Sequence, residues 1–303
     1  MPSPDGPSST TTPRLYQPPT TALLIYPATL IVGSLFSVLS PTAQGSRDPP
    51  YNHPTPLTPS IAADVNLPQH PVNYFARKDN VFNVYFVKIG WLWITAAFAS
   101  LLFSQPTYTA PSSQQARRIG QALARYSLTT LVWYLTTQWF FGPAIIDRSF
   151  VITGGKCENV VLQAEEGRAS LHTLATATAC KSAGGAWRGG HDVSGHVFML
   201  VLATAMLAFE TIGALSGASD IDNGNKKSED GNRESTVPRK WSVWFVGAVV
   251  GLSWWMLLMT AIWFHTWFEK FTGLLIALGS VYTIYLLPRR VIPWRDVVGI
   301  PGV

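Results

Sequence analysis

Six stretches of roughly twenty mostly apolar residues, separated by polar loops, constrain this chain more than any other feature. A helix of that length spans about 30 Å, the thickness of a hydrocarbon core. The stretches are Thr21–Ser40, Phe82–Phe103, Tyr126–Ile146, Val197–Leu215, Trp241–Phe264 and Phe271–Leu287. Lipid offers the backbone no hydrogen-bonding partner, so each stretch is predicted to be helical. The expected fold is all-α, a polytopic membrane bundle of six transmembrane helices. Pro27 and Gly33 interrupt the first stretch, but both residue types are tolerated in membrane helices whose neighbours satisfy the backbone. No basic cluster precedes that stretch and no small-residue cleavage site follows it, so it reads as a retained span rather than a signal peptide.

Composition argues the same way. Only 13% of the residues are charged, against about a quarter in a soluble domain, while 47% are hydrophobic. The net charge of +5 forms no basic stripe, which argues against a nucleic-acid partner. The polar segments set the boundaries of the expected layout. Residues 1–20 are Pro/Ser/Thr-rich and read as a disordered tail, and 21–287 as the membrane domain. Loops 41–81 and 147–196 belong to one face, and a solvated, disordered linker, 216–240, to the other. Residues 288–303 form a C-terminal tail.

Lys and Arg give the orientation. Arg117 and Arg118 follow the second span, Lys226, Lys227, Arg233, Arg239 and Lys240 the fourth, and Arg289, Arg290 and Arg295 the sixth. The positive-inside rule makes these segments cytoplasmic, and both termini with them. Loop 147–190 carries five basic residues, but four acids accompany them and long loops count for less. Cys157 and Cys180 share that non-cytoplasmic loop. A disulfide between them is permitted in an oxidising compartment, closing a loop worth roughly 3 kcal/mol; two unpaired thiols are the alternative.

Ionisable groups in or beside a span are costly and are functional candidates by default. They are Lys88, His191, Asp192, His196, Glu210, His265, Glu269 and Lys270. His191, Asp192 and His196 lie in GGHDVSGH at the start of the fourth span, and His265, Glu269 and Lys270 in FHTWFEK between the last two. One span leaves the cytoplasm and the other returns, so both clusters reach the same face, as does Lys88. His265 and Glu269 are four residues apart, so on a continuing helix the carboxylate can fix the imidazole tautomer and raise its basicity. Ser194 and Gly195 place a hydroxyl and an amide before His196 at a helix start, where anions are favoured. Two histidines, an anion nest and nearby lysines suggest metal-independent phosphoryl transfer, one His attacking phosphorus and the other protonating the leaving oxygen. Asp192 reads as a helix cap. Glu210 is placed too far along its span to join the histidines and is expected to pair within the bundle, and the GxxxG of Gly247 and Gly251 to serve helix packing.

Ser194-Gly195-His196 resembles the central motif of the lipid phosphate phosphatases, and His265 with its acid resembles the end of their last motif. The resemblance is closer to the fat storage-inducing transmembrane (FIT) proteins. It rests on NVFNVYFVKIGW (80–91), TTQWFFGPAIIDRSFVITGGKC (136–157), GHDVSGHVF (190–198) and FHTWFEKFTG (264–273), about a sixth of the chain. The resemblance implies a six-span endoplasmic-reticulum protein with cytoplasmic termini and lumenal histidines. It implies an acyl-CoA diphosphatase that cleaves fatty acyl-CoA to acyl-4′-phosphopantetheine and adenosine 3′,5′-bisphosphate and supports lipid-droplet formation and membrane homeostasis. His265 would be the nucleophile, Glu269 its orienting partner and His196 the general acid, with Ser194 and the Gly195 amide holding phosphate oxygens. The Lys-x6-Arg-Pro first motif of the wider phosphatases is absent, as is the Ser-Arg pair before the last histidine. Lys88, Arg148 and Lys270 are the cations proposed in their place. The partners implied are fatty acyl-CoA and membrane lipids, including triacylglycerol and diacylglycerol; no cofactor is required. Two other readings stand beside this one: a zinc centre of His191, His196, His265 and Glu269, and a non-catalytic protein that partitions neutral lipid.

Overall fold

The computed structural model describes residues 20–43, 73–138, 143–158, 176–182, 186–225 and 236–303. Residues 1–19 of the expected N-terminal tail lie outside them, as do most of loop 41–81 and residues 226–235 of the linker. In chain order the helices are α1 (Ile25–Leu39), α2 (Gly90–Ser104), α3 (Pro106–Thr109), α4 (Gln115–Thr137) and α5 (Ile145–Ile152). They continue as α6 (Ala177–Ser182), α7 (Gly195–Asn225), α8 (Thr236–Trp263), α9 (Trp267–Val281) and α10 (Ile292–Val298). Strands β1 (Lys156–Glu158) and β2 (Ala186–Arg188) pair antiparallel, Cys157 opposite Trp187. That ribbon is the one sheet among the described residues, and the fold is an all-α membrane bundle.

Four helical stretches are long and apolar enough to cross a membrane: Thr20–Leu39, Gly195–Ala218, Lys240–Trp263 and Trp267–Arg289. Two predicted spans take a different form. The second begins as a π-helical turn, Asn83–Val87, and continues as the 15-residue apolar α2. The third starts earlier than expected, at Gln115, and stops at Thr137. Its inward stripe is polar, with Gln121, Arg125, Thr129 and Thr136 buried, which lowers its apolarity although its length suffices. Ile145 and Ile146 belong instead to α5, beyond Pro143, which lacks a backbone N–H and disfavours helix in the residue before it. The linker is also shorter than expected, because α7 stays helical to Asn225 and α8 starts at Thr236.

α7 is the axis of the bundle, packed by α2, α3, α4, α8 and α9. From Val197 to Leu207 every residue is buried, as an all-round apolar helix requires. α1 packs on α8. Gly33, an interruption by sequence, is the contact point: a Cβ there would lie 2.5 Å from the Ala261 Cβ, so only glycine permits the approach. Pro27 falls in the first turn of α1, where its missing N–H costs nothing.

Glu210 pairs within the bundle. Arg125 grips it from α4, Nε to Oε1 at 2.6 Å and Nη2 to Oε2 at 2.8 Å, with all but 1% of each residue buried. Tyr285 and Tyr108 donate to the two oxygens at 3.1 and 3.2 Å. Burial first, and the Glu210 carboxylate second, push the Tyr108 phenol far above its ordinary range, so it remains a donor. The remaining Arg125 arm donates to the Val298 carbonyl at 2.7 Å, fastening the C-terminal segment to the bundle. That segment is not a free tail. Val298 and Ile300 are buried, and Pro301 and Gly302 press on Gly213 and Gly217 of α7.

Candidate active site

The site is built on the corner between α8 and α9. α8 ends at Trp263, and His265 takes φ 59°, the left-handed conformation that usually falls to glycine after a helix. Thr266 then caps α9. Its hydroxyl accepts the Glu269 N–H at 3.4 Å, and a Glu269 oxygen accepts the Thr266 N–H at 2.8 Å, a reciprocal capping box. The same Glu269 oxygen lies 3.3 Å from His265 Nδ1. The acid four residues on does meet the imidazole, but across a corner rather than along a continuous helix. His265 and Glu269 side chains remain about one-fifth exposed, at 20% and 19%. With Nδ1 turned to the carboxylate, Nε2 is the nitrogen left for chemistry.

The start of α7 is bound to that corner. The Ser194 N–H donates to the Glu269 carbonyl at 3.1 Å, and a Cβ on Gly273 of α9 would sit 2.7 Å from the Ser194 carbonyl oxygen. Ser194 is fully buried and its hydroxyl accepts the Val197 N–H at 3.4 Å, making it the cap of α7. Asp192, read from sequence as that cap, is exposed two residues earlier and is replaced in the role by Ser194. Gly195 and His196 occupy the first turn, where amides have no intrahelical acceptor and the helix dipole favours an anion. The ionisable groups whose fields reach His196 are His265, Lys78 and Lys88.

Lys78 was not among the sequence candidates, because a lysine in a polar loop draws no notice. The NVFNVYF segment positions it. Asn80 Oδ1 accepts the Asn83 N–H at 2.8 Å and caps the turn, while Asn83 Nδ2 donates to the Lys78 carbonyl at 2.7 Å. Both lysines are exposed at the ends of this folded segment. The other two expected cations differ. Lys270 is 2% exposed and donates to the Ala261 carbonyl at 2.7 Å, bridging the last turn of α8 rather than facing a phosphate. Arg148 is exposed on α5, its Nε donating to the Pro143 carbonyl at 2.6 Å.

Beside the corner sits a small cap. Cys157 and Cys180 are disulfide-bonded, with Cα atoms 5.8 Å apart, tying β1 to α6. Thr153 at the end of α5 accepts the His191 N–H at 2.7 Å, and His191 Nε2 meets Thr272 Oγ1 of α9 at 3.0 Å, its ring 4.6 Å from Phe268. His191 thus fastens the cap to α9. Among the described residues no three His, Cys, Asp or Glu side chains converge as metal ligands, so the zinc set of His191, His196, His265 and Glu269 is not assembled.

Comparison with known proteins bears on the same segments. Residues 71–285 match the family model described as fat storage-inducing transmembrane protein. The chain is 32% identical to the acyl-coenzyme A diphosphatase fit1 of Schizosaccharomyces pombe, over 75% of this chain and 78% of that protein. It is 27% identical to the acyl-coenzyme A diphosphatase FITM2 of Danio rerio over 71% of this chain and 74% of that one. To the Bos taurus FITM2 it is 29% identical, over 71% and 72%. No solved structure matches. The matched span runs through the capped Asn80 turn, the disulfide cap, the start of α7 and the His265 corner, and on it this multi-pass membrane protein belongs to the fat storage-inducing transmembrane family.

Proposed function

We propose that this chain is an acyl-CoA diphosphatase of the endoplasmic-reticulum membrane. It cleaves fatty acyl-CoA to acyl-4′-phosphopantetheine and adenosine 3′,5′-bisphosphate and so supports lipid-droplet formation. The observation that carries the reading is the corner at which His265 meets Glu269 while the helix bearing His196 is hydrogen-bonded to the Glu269 carbonyl. Two imidazoles in unlike environments are what a nucleophile and a general acid require.

His265 Nε2 attacks one phosphorus of the diphosphate, and Glu269 stabilises the imidazolium through Nδ1–H. The bridging P–O bond breaks and its electrons leave on oxygen, which takes a proton from His196. Water then attacks the phosphohistidine, giving its proton to His196, and the P–N bond breaks to restore His265. Oxygens of the transferred group lie at the amides of Gly195 and His196, with Lys78 and Lys88 balancing their charge. Ser194 contributes by holding the turn. The site faces the lumen and both termini face the cytoplasm, which sets Arg117, Arg118 and Arg290 on the cytoplasmic side and the Cys157–Cys180 bond in an oxidising compartment.

Purified protein incubated with oleoyl-CoA in EDTA should release adenosine 3′,5′-bisphosphate. His265→Ala and His196→Ala should each lower kcat at least about 100-fold, the lower bound for losing an acid–base group. Undiminished turnover by His265→Ala would remove it from the nucleophile's role.

A further inference from the structure

A lateral groove of about 280 Å³ opens between the segment around α2 and the middle of α8. Tyr85, Phe86 and Trp93 form one wall and Phe245, Ala248 and Leu252 the other, all aromatic or aliphatic. Gly247 and Gly251 of α8 lie outside its lining, are exposed, and a Cβ at either would touch nothing within 4 Å, so their GxxxG packs no helix among the described residues.

Three observations indicate what fills it. Tyr85 and Phe82 are exposed at its rim, so the groove opens sideways to lipid. The first wall leads within two residues into Lys88, whose charge acts on His196, so a cation stands at the end of the groove that leads toward the histidines. The second wall runs down α8 away from His265: Leu252 is 13 residues from it, about 20 Å at 1.5 Å per residue. The pantetheine arm between a CoA diphosphate and its thioester is about a dozen bonds, or roughly 15 Å extended. An anion at the histidines and an apolar chain whose first few carbons bring it to Leu252 are matched by one amphiphile.

We propose that this groove seats the acyl chain of the acyl-CoA substrate, its thioester end toward Leu252 and Lys88, and that Ala248 sets the depth available to it. The proposal rests on the diphosphatase reading. Leu252 to Phe245 spans about 10 Å, room for roughly eight carbons of extended chain, and Ala248 lies midway. Chains shorter than the distance to Ala248 do not meet it.

The test compares kcat/KM for butyryl-CoA and oleoyl-CoA in wild type and Ala248→Phe. We expect oleoyl-CoA to lose about tenfold or more, through KM, and butyryl-CoA to change less than about twofold, since only the long chain forfeits buried methylenes. An unchanged ratio between the two substrates overturns the proposal. Independently of that variant's folding, wild-type protein is photolabelled with an acyl-CoA carrying a mid-chain diazirine. Label on residues 81–93 and 245–252, displaced by oleoyl-CoA but not by phosphatidylcholine, supports the site. Label elsewhere, or label that phosphatidylcholine displaces equally, marks ordinary boundary lipid and overturns it. Failure of wild type to cleave any acyl-CoA sinks the diphosphatase reading, and the displaced label still decides whether the groove holds the chain.

Discussion

His265 combines the ring proposed as nucleophile with a strained backbone, and the two can be separated by substitution. A non-glycine residue at φ 59° carries a conformational cost that glycine avoids. His265→Gly should therefore be more stable than His265→Ala by about 1 kcal/mol, although neither should turn over acyl-CoA. Thermal unfolding of the two purified variants in the same detergent checks this, and equal midpoints would contradict it. Glu269 also has two duties, capping α9 and holding the imidazole. Gln preserves a capping box, so Glu269→Gln should keep its melting temperature while kcat falls about 10- to 100-fold with KM little changed. The meeting of the His196 segment with His265 and Glu269 was legible in the sequence because ionisable groups beside an apolar run are conspicuous. Lys78 was not, because a loop lysine costs nothing. The burial of Lys270 against the Ala261 carbonyl was not legible either, because an ammonium that binds a phosphate and one that binds a helix-end carbonyl look alike in sequence.

The elements differ in how openly they announce themselves. The apolar runs that became α1, α7, α8 and α9 were legible because lipid or an apolar bundle surrounds them on every side. α4 was shifted in the reading because its buried stripe is polar, which hydropathy treats as exposure. The disulfide cap was only half legible, since spacing shows that two cysteines can meet and not which elements they join. That cap is local, so its loss should be local. Cys157→Ser/Cys180→Ser should weaken the ribbon by about 3 kcal/mol. Limited proteolysis should then cut within 153–190 while the spanning helices stay intact, and a uniformly degraded chain would argue against a separable cap.

Across the whole molecule, two polar centres lie at separate levels of one bundle. One is the histidine corner; the other is Arg125–Glu210 with its two tyrosines and the Val298 carbonyl. Removing one partner of a buried pair leaves an uncompensated charge. Arg125→Met and Glu210→Met should each cost about 3–5 kcal/mol, and Arg125→Met/Glu210→Met should recover most of it. A double-mutant cycle by thermal unfolding measures the coupling, and additive losses would refute it. Topology alone foretold that both histidine clusters reach one face, since alternating spans leave no other choice. It could not foretell the C-terminal packing, which depends on the bare surface of Gly213 and Gly217. Nor could it foretell the contact of Gly273 with the Ser194 carbonyl, and that contact works as a spacer. One imidazole rides on α7 and the other on the corner that opens α9, and the thickness of one missing methyl group gauges how far apart they are carried. Gly273→Ala adds no charge and touches neither ring. It should nonetheless lower kcat about 100-fold by wedging the pair apart, the penalty expected for misplacing reacting groups by about an ångström.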